Sequence, residues 1–71
     1  MPAYVERRGG NDYGFDVTVD GANEWFASDK EAYTVAEKIS SMERHGGRVT
    51  KDGHYGWKID GNRWIGSLKG L

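Results

Sequence analysis

Three carboxylates, Asp16, Asp20 and Glu24, flank a Gly21-Ala22-Asn23 turn and are the one set in the chain whose spacing suits acid–base work. Two carboxylates converging across a hairpin are the equipment of glycoside hydrolysis. On the outward face of a strand, however, acids ordinarily serve solubility. The other catalytic types are thinner still. Ser40-Ser41 lies in a helical stretch with no base placed beside it, and His54, in Asp52-Gly53-His54, reads as a turn residue rather than a base or ligand. With His45 the histidines number two, too few for a metal cluster, and there is no cysteine to provide a thiolate, a disulfide or a zinc ligand. Gly9-Gly10 lacks the strand-to-helix context of a phosphate loop. The expectation is a protein that is not an enzyme and carries no cofactor or metal.

With 71 residues the chain makes a single domain, 1–71, with room for one small core and no deep cleft. No apolar run is long enough for a membrane span and the start, Met1 to Gly10, has no apolar leader, so a soluble, cytoplasmic protein is expected. Glycine is scattered between apolar runs, which predicts no linker, repeat or low-complexity tail. The net charge of −1 excludes strong non-specific attraction to phosphate backbones. Its distribution is uneven. Met1 to Glu37 holds eight acids against three bases, and Lys38 to Leu71 holds seven bases against three acids, which suggests a partner surface.

These residues need elements to hold them. Ser28 to Gly47 predicts the one helix: Ser28 and Glu31 form a capping box, and Asp29 suits the positive end of the dipole. Ala32, Val35, Ala36, Ile39 and Met42 make one apolar stripe, and Gly46-Gly47 supplies the left-handed stop. Strands are expected at Tyr4 to Arg8, at Tyr13 to Asp20, where Tyr13, Phe15, Val17 and Val19 alternate with polar residues, and at Glu24 to Ala27. In the last, Trp25 and Ala27 share a face and Phe26 is the odd aromatic, wrapping an edge or exposed. After the helix come Arg48 to Lys51 and Tyr55 to Ile59, then Asp60-Gly61 as a two-residue hairpin turn. That turn sets Ile59 opposite Asn62, Lys58 opposite Arg63 and Trp57 opposite Trp64, with Tyr55, Trp57 and Trp64 on one face and Lys58, Arg63 and Ile65 on the other. The predicted fold is α+β: one antiparallel sheet of about five strands packed against a single helix, in the order βββ-α-βββ or ββ-α-βββ.

The stretch Gly56-Trp57-Lys58-Ile59-Asp60-Gly61-Asn62-Arg63-Trp64-Ile65, with the helix opening Ser28-Asp29-Lys30-Glu31-Ala32 and Arg48-Val49, resembles small phage-encoded anti-CRISPR proteins of the type I-F inhibiting class. The likeness covers Ser28 to Ile65. It implies an inhibitor without chemistry, acting in a bacterial host cell, that docks on a CRISPR surveillance complex and blocks target DNA. An acidic strand face carrying Asp16, Asp20 and Glu24 would then stand in for DNA in a channel lined with Lys and Arg, with Tyr13 or Phe26 as aromatic anchors and Lys58, Asn62 and Arg63 contributing from the hairpin. Two alternatives stay open. One is a small DNA- or RNA-binding accessory protein, reminiscent of the arm-binding domain of phage integrases, that uses Lys58, Arg63, Arg48, Lys51 and Tyr55 on a sheet face. The other is a structural or self-associating module.

Overall fold

A computed structural model describes residues 3–71. The architecture is α+β, with strands β1 (Tyr4–Arg7), β2 (Phe15–Val19) and β3 (Ala22–Phe26), the helix α1 (Asp29–Arg44), strands β4 (Val49–Lys51), β5 (Trp57–Ile59) and β6 (Arg63–Ile65), and a 3₁₀ turn, Leu68–Gly70. The expected single sheet of about five strands is instead two antiparallel sheets of three, ordered β1-β2-β3 and β4-β5-β6. Each sheet is an open meander of sequential antiparallel neighbours. The second adds its Trp57 and Ile59, and the 3₁₀ turn adds Leu68, to the core made by Val17, Val19 and Phe26 rather than extending the first ladder.

α1 forms as its end signals require. The Ser28 hydroxyl accepts from the Glu31 amide at 3.3 Å. At the other end Gly46 takes φ +89, and the amides of Gly46 and Gly47 return to the carbonyls of Glu43 and Met42, which is a Schellman close. The buried stripe is Ala32, Val35, Ala36 and Ile39, with Ser40 beside it donating to the Ala3 carbonyl. Ser40 is thereby a fastening for the lead into β1. No helix among the described residues is long and apolar enough to cross a membrane.

The two sheets are copies of one unit, contrary to the expectation of no repeat. Tyr13-Gly14-Phe15, Asp20-Gly21, Trp25 and Ser28 recur as Tyr55-Gly56-Trp57, Asp60-Gly61, Trp64 and Ser67. The correspondence extends to backbone detail. Asp20 and Gly21 both have positive φ, as do Asp60 and Gly61, giving two I′-type turns. Arg8 N donates to Gly14 O at 3.0 Å and Asp52 N to Gly56 O at 2.9 Å. Ser28 caps α1, and Ser67 accepts from the Lys69 amide at the start of the 3₁₀ turn. The unequal hairpin lengths hide this repeat from a simple periodicity search.

That inequality also corrects the register of the second hairpin. The first has a two-residue turn, with Val19 opposite Ala22. In the second, Asn62 is an extra residue, so Ile59 faces Arg63, Lys58 faces Trp64 and Trp57 faces Ile65. A one-residue slip reverses every side chain. Trp57 consequently lies in the core with Ile59, while Trp64 stands on the outward face with Lys58, and Arg63 belongs to the opposite side from Lys58.

Candidate functional site

Each sheet turns one face to the core and leaves the other uncovered. On the first sheet, alternation puts Val17 and Val19 inside, so Asp16 and its ladder partners Glu6 and Trp25 point outward, followed by the rung of Tyr4, Thr18 and Asn23, in which Thr18 itself is buried. Tyr13 precedes β2 and meets Trp25 edge to face, with ring centroids 6.2 Å apart. Tyr13 is 68% exposed and Trp25 40%. Their polar ends are nonetheless tied down: the Tyr13 hydroxyl donates to Ala27 O, and Trp25 Nε1 donates to Tyr13 O, both at 2.8 Å. The indole lies across Gly14, where a Cβ would collide with it.

Charge on this face is largely acidic. Arg8 makes a bidentate contact with Asp16, its Nε and Nη2 each 3.1 Å from a carboxylate oxygen. Donating these hydrogen bonds to Asp16, aided by the fields of Asp16 and Asp12, raises the pKa of Arg8 further and keeps it charged. Glu6 accepts from the Thr18 hydroxyl at 3.2 Å and has no cation in ion-pair contact among the described residues.

The second sheet repeats the platform. Thr50, Lys58 and Trp64 form the rung equivalent to Glu6, Asp16 and Trp25. Trp64, 57% exposed, lies over Gly56 as Trp25 lies over Gly14. Tyr55, next to Gly56 in sequence, is exposed.

The residues expected to form one interface are distributed differently. Tyr13 and Asp16 belong to the outward face of the first sheet, and Asp20 is exposed in its turn. Lys58 is outward on the second sheet, Asn62 is in the second turn, and Arg63 is exposed on the other side of β6. Phe26 is fully buried opposite Phe15, which corrects its expected place wrapping an edge or exposed and removes it as an anchor. The aromatic left outside is Trp25, because Gly14 makes room for an indole on the outer surface while Phe26 fills the core.

Glu24 turns inward. Its Oε1 accepts from Trp57 Nε1 at 2.9 Å and from the Leu68 amide at 3.0 Å, and its Oε2 accepts from the Ser67 hydroxyl at 2.6 Å. It joins the two units. Sequence reasoning missed Tyr4, Glu6, Trp25 and Trp64 as outward residues, although the repeated Tyr-Gly, Asp-Gly and Trp pattern marks the two tryptophans as equivalent.

Among the described residues no three His, Cys, Asp or Glu side chains gather as a metal site. A shallow cleft of about 370 Å³ between the start of α1 and the C-terminal turn is lined by Ser28, Lys30, Glu31, Thr34, Val35, Lys69 and Leu71. The chain matches no family model, no curated protein and no solved structure.

Proposed function

We propose that this protein works by binding, without chemistry of its own, and that the outward face of its first sheet docks on a basic surface of a protein partner. Support comes above all from the Tyr13–Trp25 pair. Its rings are exposed but its polar ends are satisfied internally, so both side chains stand in fixed positions before a partner arrives. Rigid Tyr and Trp side chains cost little entropy on binding and dominate interface energetics. Around them stand Glu6 and Asp16, and Arg8, under the fields of Asp16 and Asp12, is already engaged by Asp16, which favours a partner rich in Lys and Arg.

The resemblance of α1 and the C-terminal hairpin to type I-F CRISPR inhibitors makes a type I surveillance complex the first partner to test, with occlusion of its DNA channel as the mode of action. Tagged protein is incubated with a lysate containing that complex and washed with and without nuclease at two salt concentrations. The expected result is nuclease-resistant capture that Tyr13→Ala and Trp25→Ala each weaken about tenfold or more. Capture unaffected by either variant would overturn the role of this face, and capture of nucleic acid alone would overturn the protein-binding reading.

A further inference from the structure

The duplicated units carry their aromatic platforms with opposite charge. The rung Glu6–Asp16–Trp25 is acidic, and its counterpart Thr50–Lys58–Trp64 is basic. The exchange includes a second position. Asp52 is the equivalent of Arg8, since each donates its amide to the carbonyl of the clamp glycine, so the position that is an arginine in the first unit is an aspartate in the second. Among the described residues Lys58 has no carboxylate in ion-pair contact. At the central rungs the first face thus presents acid, with Glu6 in no ion pair among the described residues, and the second presents the unpaired base Lys58. Both present an exposed tryptophan laid flat over a glycine.

We infer that the outward face of the first sheet docks on the outward face of the second sheet in another copy of this chain. This rests on the reading that the first face takes basic, aromatic surfaces, and the second face is such a surface. The contact is heterologous, head to tail, so it leaves a free face at each end and builds short chains of copies instead of closing as a dimer. Three short strands on each side put it at the small, weak end of protein interfaces. Self-docking uses the same face as the partner, so the partner competes with it.

Sedimentation equilibrium over a range of concentrations and two salt concentrations tests this. The wild-type average mass is expected to rise with concentration and to fall toward that of one chain as salt screens the contact. Glu6→Lys and Lys58→Glu, each checked for an unchanged near-ultraviolet tryptophan spectrum, weaken self-association about tenfold when alone. Mixed in equal amounts, they associate again, because one variant retains a native first face and the other a native second face. A wild-type mass that stays at one chain at every concentration, or variants that associate like the wild type, overturns the inference. So does a single-stranded oligonucleotide that binds the one-chain form and is lost with Lys58→Glu. A strictly monomeric chain that still captures a basic partner through Tyr13 and Trp25 defeats self-docking alone, whereas indifference of partner capture to those residues defeats the underlying reading.

Discussion

Glu24 and Trp57, separated by 33 positions in sequence, are joined by a 2.9 Å hydrogen bond from the indole of the second sheet to a carboxylate of the first. The same carboxylate takes the Ser67 hydroxyl and the Leu68 amide. One side chain therefore satisfies three donors where the units meet.

Removing that acceptor should be the costliest single polar change in the chain. Glu24→Ala strands three partly buried donors and is expected to destabilise by about 3 kcal/mol, while Glu24→Gln, which retains one carbonyl oxygen, costs about half as much. Urea unfolding followed by tryptophan fluorescence reads both.

The two clamp glycines differ in a useful way. Gly14 has φ +112 and lies under an indole, so Gly14→Ala suffers backbone strain as well as collision. Gly56 lies under Trp64 without a positive φ, so Gly56→Ala reports the collision alone. We expect about 1–3 kcal/mol for Gly56→Ala and a larger loss for Gly14→Ala, both by denaturant titration.

Ser28 caps α1 through the Glu31 amide. Ser28→Ala should lower stability by about 1 kcal/mol, and Ser28→Asp should retain most of it. Thermal unfolding monitored by far-ultraviolet circular dichroism distinguishes them.

The three tryptophans are expected to separate spectroscopically. Trp57 is fully buried, whereas Trp25 and Trp64 are open to solvent. A Trp25→Phe, Trp64→Phe double variant should emit at shorter wavelength than wild type and resist iodide quenching. Trp57→Phe should leave red-shifted, readily quenched emission.

Local signals were legible. Ser28, the Ala32-Val35-Ala36-Ile39 stripe and Gly46 announced α1, and the alternation from Phe15 to Val19 announced β2, because helix caps and pleat periodicity are set by near neighbours. Pairing and facing depended on distant residues. The inward turn of Glu24 answers donors in Trp57, Ser67 and Leu68, for which β3 itself carries no mark. The alternation of β3 was assigned from its tryptophan, whereas Phe26 is the residue that packs inside. Asn62 illustrates the same limit: Asp60-Gly61 does form the expected turn, but one extra residue reverses the faces of Trp57 and Trp64 relative to each other. The acidic cluster read from Asp16, Asp20 and Glu24 dissolves for a similar reason, each acid being at a different structural station.

Splitting six strands between two sheets has a consequence for solubility. A single sheet has two open borders; two sheets have four, here β1, β3, β4 and β6, each with backbone groups able to recruit a foreign strand. The protein keeps those borders short, at five residues or fewer. It also studs them with Glu6, Arg7, Lys51 and Arg63, so that an incoming apolar strand would have to lie against charge along much of its length.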